Sequence, residues 1–280
     1  TPLYSSAASD VYKRQGVAFN PNGSAIAIST GSTPYVAAWA WNNSTGFGTK
    51  FSNPGTLPGT TGSSVKFSPD GTAIAVTSTG TPFVQAYPWS GSGFGSKFTN
   101  PVTLPGGAGT DVAFSPNGSA IAVTSTVTPF IQAYPWSSSG FGTKFANPTT
   151  LPTGAAYAVS FQNDSVLAVG TNVSPFVQIY NFNTTTGFGD TFSNPRAYPG
   201  AINSLTWSTK GNNNNPTFNA YLVASLTATP YVRAYNFDEY STGAAFSSPA
   251  TTPTGAGNSI AFSPDMSAVC LLYTSDAADE

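Results

Sequence analysis

The chain has 280 residues, of which 7% are charged, and its formal net charge is −2. This composition provides no basic patch that could release counterions from nucleic acid, and no run of apolar residues approaches the roughly 20 needed to span a bilayer. We therefore expect neither nucleic-acid binding nor membrane insertion. The sequence contains no histidine and one cysteine, Cys270, which excludes an internal disulfide and metal sites built from histidine or several cysteines.

The two ends of the chain differ in character from the segment between them. Residues 5–15 are what one strand of a transposase-type sequencing adapter encodes, and residues 270–280 match the reverse complement of the same adapter in a shifted frame. We interpret residues 1–15 and 270–280 as adapter-derived and exclude them from fold reasoning, which leaves residues 16–269. Without the two ends, basic and acidic residues are equal in number.

Residues 16–269 are a tandem repeat. An aromatic residue that precedes a tight turn recurs at intervals of 48, 47, 47, 46 and 55 residues, at Phe19, Phe67, Phe114, Phe161, Trp207 and Phe262. A period in this range is typical of propellers. The sequence therefore predicts an all-β propeller of four-stranded antiparallel blades, with five full repeats and a partial sixth. We expect this segment to be truncated at both ends and cut from a ring of six to eight blades; the alternative is a complete five-bladed ring with a redundant sixth copy.

Each repeat begins with two strands joined by a short turn. In the second repeat the turn is Ser68-Pro69-Asp70-Gly71, where proline presets φ and glycine supplies the left-handed residue of a three-residue loop with a bulge. The second strand, residues 73–76, is apolar on both faces. Burial on both sides of a short strand indicates that sheets are stacked against each other, as in a propeller.

A second turn precedes the third strand. It ends in Thr-Pro or Ser-Pro followed by an aromatic residue, which is Tyr35, Phe83, Phe130, Phe176 or Tyr231. In the strand at residues 83–89, one face carries the large side chains and the other carries Val84 and Ala86. We expect the large face of one blade to pack against the small face of its neighbour.

The fourth strand centres on a Gly-Phe-Gly motif. Lys50, Lys97 and Lys144 follow this motif, and lysine on an outer strand protects a sheet against edge-to-edge pairing. A closing loop with Asn-Pro and Leu-Pro then leads to a glycine-rich entry. No helix follows these glycines, so they are interpreted as turn-forming residues and not as a phosphate-binding loop.

The Phe67-Ser68-Pro69-Asp70-Gly71 hairpin, the Ala/Val strand after it and the third strand ending in Tyr87-Pro88-Trp89 resemble WD-repeat-type propellers. The Thr-Pro-Phe-Val, Tyr-Pro-Trp and Leu-Pro connectors are similar to repeats in structural proteins of tailed phages and in environmental sequences. The chain lacks the Gly-His and Trp-Asp pairs of true WD repeats. The resemblance implies a structural or binding protein of a virion or a cell surface.

Catalytic groups are few. Asp70, Asp164 and Asp265 occupy first-hairpin turns, and the other acidic residues between 16 and 269 fall in three different repeats. Propeller glycosidases need paired carboxylates, and metal-dependent propeller lactonases need clustered oxygen ligands. We therefore predict a non-enzymatic protein with no catalytic residue, cofactor or metal, and the alternative is a propeller hydrolase or lactonase.

The candidate binding residues are the five aromatics after the second turn, Tyr35, Phe83, Phe130, Phe176 and Tyr231. In a four-stranded blade, the second turn and the closing loop emerge on the same side, so these aromatics should lie beside the Leu-Pro loops. Rigid aromatics beside amides suit stacking on a glycan or docking of a protein partner. Two alternatives stay open: the aromatics fill gaps between blades, and the chain is a structural spacer without a ligand. Low charge and abundant hydroxyl residues favour a virion or extracellular location.

Overall fold

A computed structural model describes residues 16–192, 198–208, 220–237, 242–263, 266 and 268–273. These residues form five four-stranded antiparallel sheets and one two-stranded sheet. The sheets follow one another in chain order, as predicted, and we call the five complete ones blades 1 to 5. The described residues include no helix that is long and apolar enough to cross a membrane.

The strands of each blade run in sequence order across its sheet. Blade 1 contains β1 (Val17–Phe19), β2 (Ala25–Ser29), β3 (Val36–Asn42) and β4 (Gly46–Lys50). Blade 2 contains β5 (Gly62–Phe67), β6 (Ala73–Ser78), β7 (Val84–Ser90) and β8 (Gly93–Phe94). Blade 3 contains β9 (Gly109–Phe114), β10 (Ala120–Ser125), β11 (Ile131–Ser137) and β12 (Gly140–Phe141).

The chain continues in the same pattern. Blade 4 contains β13 (Ala156–Asn163), β14 (Val166–Thr171), β15 (Val177–Asn183) and β16 (Gly187–Thr191). Blade 5 contains β17 (Ile202–Trp207), β18 (Ala220–Leu226), β19 (Val232–Phe237) and β20 (Thr242–Ala245). The last sheet pairs β21 (Gly257–Phe262) with β22 (Val269–Tyr273). The first strand of each blade contacts the first strand of the next, from β1 to β21, which places these strands innermost.

The blades pack large side chains against small ones, as predicted. Between blades 2 and 3, Ala75 and Ala86 of blade 2 lie in one buried cluster with Ile121, Tyr134 and Trp136 of blade 3. The same arrangement joins blades 1 and 2, blades 3 and 4, and blades 4 and 5. Because alanine leaves room for a facing aromatic ring, the alternation lets neighbouring blades pack closely.

The first hairpin is one residue longer than predicted. In blade 2 the Ser68 amide donates to the Ala73 carbonyl oxygen at 2.9 Å, which leaves four loop residues between them. Gly71 has φ of 71°, so glycine occupies the left-handed position as expected. The fourth loop residue is accommodated because Asp70 accepts a hydrogen bond from the Thr72 amide at 3.1 Å.

Two of the three lysines lie outside the strands predicted for them. Lys50 ends β4, whereas β8 and β12 stop at Phe94 and Phe141, before Lys97 and Lys144. Pro88 and Pro135, in the third strands of blades 2 and 3, have no amide to pair, which shortens the fourth strands of these blades. The Lys97 ammonium instead donates to the Asn100 side chain at 2.6 Å and to the Phe98 carbonyl oxygen at 3.1 Å.

The paired region extends beyond the expected boundary at Val269. Residues 270–273 continue β22 and pair with β21 as far as Gly257. Their apolar sequence is compatible with a strand, and β21 offers unpaired backbone groups. None of residues 269–273 is buried, so they add no fully buried side chain to the core. Residues 1–15 and 274–280 lie outside the described residues.

Candidate binding face

The five candidate aromatics follow turns of one geometry. In blade 2 the Phe83 amide donates to the Gly80 carbonyl oxygen at 2.8 Å across a cis Thr81–Pro82 bond, which is a type VI turn. The same cis Xaa-Pro bond occurs in all five blades. The aromatic residue then has φ between 65° and 68°, at Tyr35, Phe83, Phe130, Phe176 and Tyr231. Few non-glycine residues adopt this left-handed conformation.

Backbone contacts on both sides hold Phe83 in place. The Phe83 carbonyl oxygen accepts a hydrogen bond from the Ser78 amide at 3.0 Å, at the end of β6. A Cβ atom on Gly109, the first residue of β9 in the next blade, would overlap the same carbonyl oxygen. Gly109 of the glycine-rich entry therefore serves close packing between blades, in addition to the turn formation that the sequence indicated. The position of Phe83 is fixed by its own blade and by the next one.

The second turns and the closing loops lie on the same side of the propeller, as predicted. The Thr79 amide donates to the Thr61 carbonyl oxygen at 3.0 Å, which joins the second turn of blade 2 to the loop that enters it. The equivalent bonds in blades 3, 4 and 5 measure 3.2, 3.1 and 3.0 Å. We define the binding face by these two sets of connections. The second turns are residues 30–35, 79–83, 126–130, 172–176 and 227–231, and the described parts of the closing loops are residues 51–61, 95–108, 142–155, 198–201 and 246–256.

The aromatic side chains are half-buried in all five blades. Phe130 packs against the interface of blades 3 and 4, and Phe176 packs against that of blades 4 and 5. Among the described residues, none of the five rings is in ring contact with another aromatic side chain. The structure therefore places one candidate on each blade of a shared face. It does not bring the five together into a single pocket.

Each aromatic is accompanied by an exposed hydroxyl group that sequence reasoning did not identify. The residue before the cis-proline is exposed in every blade: Thr33, Thr81, Thr128, Ser174 and Thr229. Within the described part of the chain, no hydrogen bond involves any of these five hydroxyl groups. The repeated Thr-Pro-aromatic sequence contained this signal, because the residue before a type VI proline lies at the tip of the turn.

The five second turns carry no charged residue. Lys97 and Lys144 lie in two of the closing loops, and their ammonium groups are hydrogen-bonded to Asn100 and Asn147, each at 2.6 Å. Partial burial lowers the pKa of both lysines. Asp70 and Asp164 occupy first hairpins, on the opposite side. The second turns therefore have no charged group of their own that could attract a ligand through long-range electrostatics.

The first strands surround a cavity of about 1190 Å³. Its lining includes the charged residues Lys66 and Asp111, along with hydroxyl and amide side chains such as Thr110 and Asn203. The sequence analysis assigned no role to Asp111. Its carboxylate accepts hydrogen bonds from the Ser64 hydroxyl of blade 2 at 2.7 Å and from the Val159 amide of blade 4 at 3.0 Å. One side chain of blade 3 thus links three consecutive blades.

Asp111 has an altered acidity. Burial raises the pKa of its carboxyl group above the usual range, and the charge of Lys66 together with the hydrogen bonds offsets part of this effect. No set of three or more histidine, cysteine, aspartate or glutamate residues in the described segments could hold a metal ion. We therefore interpret the Asp111 carboxylate as a group that links blades, and not as a metal ligand.

No protein-family model matches the sequence, and no curated protein matches it significantly.

Proposed function

We propose that this chain is a non-enzymatic binding propeller of a virion or cell surface, which contacts a glycan or a protein through its binding face. The observation that carries the proposal is the half-buried aromatic side chain held at positive φ in all five blades. Residues in sparsely populated backbone regions persist where the surrounding structure fixes them, and such residues cluster at ligand-binding sites. A fixed ring also loses little conformational entropy on binding.

Composition supports the surface location. Charged residues make up 7% of the chain, and hydroxyl and amide side chains dominate the loops. The similarity of the hairpins and connectors to structural proteins of tailed phages points the same way. The composition and the similarity support the proposed class of protein, whereas the five aromatic residues support the proposed binding site.

A structural spacer is the second candidate function. It is favoured by the packing of Phe130 and Phe176 against buried clusters between blades. In that case the aromatics fill gaps between blades, and their removal would lower stability without affecting a ligand.

Alanine substitution separates the two functions. We expect Phe83→Ala and Phe130→Ala to reduce binding on a glycan array or to a purified surface partner while leaving the melting temperature close to that of the unchanged chain. Phe47→Ala is the matched control, because Phe47 is an exposed aromatic on β4, away from the binding face. A large fall in melting temperature for Phe83→Ala, with binding unchanged after correction for folded protein, would support the spacer.

A further inference from the structure

We infer that the ligand of the binding face is an uncharged polysaccharide, which each blade contacts through its half-buried aromatic ring and the exposed hydroxyl group two residues before it. This inference rests on the proposed function and narrows it to one class of ligand. The paired groups are Thr33 with Tyr35, Thr81 with Phe83, Thr128 with Phe130, Ser174 with Phe176, and Thr229 with Tyr231.

The pair of groups matches the chemistry of a neutral sugar. A pyranose ring presents an apolar C–H surface and a rim of hydroxyl groups. An aromatic side chain offers an apolar surface that can cover the C–H groups. A threonine or serine hydroxyl both donates and accepts a hydrogen bond, so it can pair with a sugar hydroxyl in either sense. Because Thr81 and its counterparts have no internal partner in the described residues, binding need not break a hydrogen bond within the protein.

The absence of charge on the second turns, which carry the five pairs, selects among glycans. Sialylated, uronic-acid and sulfated chains carry anionic groups, and desolvating an anion without a cationic partner is costly. The ammonium groups at the described closing loops, those of Lys50, Lys97 and Lys144, already donate to Asn53, Asn100 and Asn147. Lys66 lies apart on β5, among the residues that line the central cavity. A neutral chain avoids this cost.

The arrangement of the sites favours a polymer over a compact protein partner. The five aromatics lie on separate blades without ring contact between them, whereas a protein-docking patch is a contiguous apolar surface. A polysaccharide repeats the same unit along its length, so several weak contacts on one chain can act together. The repetition of the ligand would then match the repetition of the propeller.

Affinity gel electrophoresis tests the inference with four soluble polymers. Neutral β-glucan and neutral mannan are compared with alginate, which carries carboxylates, and with dextran sulfate. We expect at least one neutral polymer to retard the unchanged chain, equally at low and high salt, because screening affects only charged interactions. Retardation by the anionic polymers alone, or retardation that disappears at high salt, would overturn the inference.

A second experiment removes two of the hydroxyl groups and measures the effect on polymer binding. The double variant Thr81→Val and Thr128→Val keeps the side-chain shape, and we expect roughly tenfold weaker binding of the neutral polymer through the loss of two hydrogen bonds. The control double variant is Thr45→Val and Thr185→Val, at exposed threonines in the turns after β3 and β15. Equal retardation of both double variants would show that the hydroxyl groups are not contacts.

The outcomes also separate this inference from the proposed function. If none of the four polymers retards the chain, but Phe83→Ala abolishes binding to a purified protein partner, the polysaccharide is wrong and the binding propeller stands. If the binding of neither a polymer nor a protein depends on the aromatic residues, the polysaccharide inference and the proposed binding function are both wrong.

Discussion

Blades 1 and 2 have similar sequences but differ in how they are covered. Phe67 of blade 2 is 9% exposed, and Phe19, at the same position of blade 1, is 50% exposed. Trp89 is 7% exposed, whereas its counterpart Trp41 is half-buried. The large face of blade 2 packs on the small face of blade 1, and blade 1 has no neighbouring small face among the described residues. Burial in this fold therefore depends on the adjacent blade and not on the repeat alone.

The first prediction tests this dependence directly. We expect Phe67→Ala to lower the free energy of unfolding by about 3–5 kcal/mol, because it leaves a cavity beside Trp89, whose ring centroid is 5.0 Å away. Phe19→Ala should cost no more than about 1 kcal/mol, since half of that ring already contacts water. Urea unfolding followed by tryptophan fluorescence measures both. Lys97→Ala serves as a control for which we expect little change, and equal losses for Phe19 and Phe67 would refute the comparison.

This difference between blades was only partly accessible from the sequence. The 47-residue interval, the turn residues and the alternation of large and small side chains predicted the four strands and their packing. They could not predict that Phe19 is exposed, because burial arises from contacts with a separate blade. The sequence does contain the reason why β8 and β12 are shorter than predicted, because Pro88 and Pro135 of the third strands have no amide to pair.

The sequence predicted the location of the candidate site but not its backbone geometry. The Thr-Pro-aromatic motif located the five aromatics and the side of the propeller on which they lie. It did not indicate the cis bond or the positive φ of the aromatic residue, which occur in all five blades. Asp111 was missed because its partners Ser64 and Val159 are 47 and 48 residues away, and nothing in the local sequence pairs them.

The second prediction concerns a contact that blade 1 lacks. In blade 2 the Tyr87 hydroxyl donates to the carbonyl oxygen of Thr56 in the preceding closing loop at 2.7 Å, whereas blade 1 has Trp39 at this position. We expect Tyr87→Phe to lower the free energy of unfolding by about 1 kcal/mol, the net value of one such hydrogen bond. Tyr35→Phe is the control, since no hydrogen bond to its hydroxyl exists in the described residues. Indistinguishable urea midpoints for Tyr87→Phe and the unchanged chain would show that the loop does not depend on this bond.

The third prediction concerns Asp111, whose carboxylate links blades 2, 3 and 4, while its counterpart in blade 1 is Gly16. Because burial raises the pKa of Asp111 in the folded protein, the folded state binds the proton more tightly than the unfolded state does. The resulting stabilisation is complete below the unfolded pKa of about 3.9 and is lost as pH rises through the folded pKa. An asparagine side chain does not titrate, so Asp111→Asn should gain stability relative to the unchanged chain as pH rises above about 4.

Urea midpoints of both proteins across this pH range measure the difference in stability, in which the contributions of the other titrating groups cancel. If the advantage of the unchanged chain instead grew with pH, the hydrogen bonds from Ser64 and Val159 would outweigh the cost of burying the charge. The three blades would then be linked by the ionised carboxylate of Asp111.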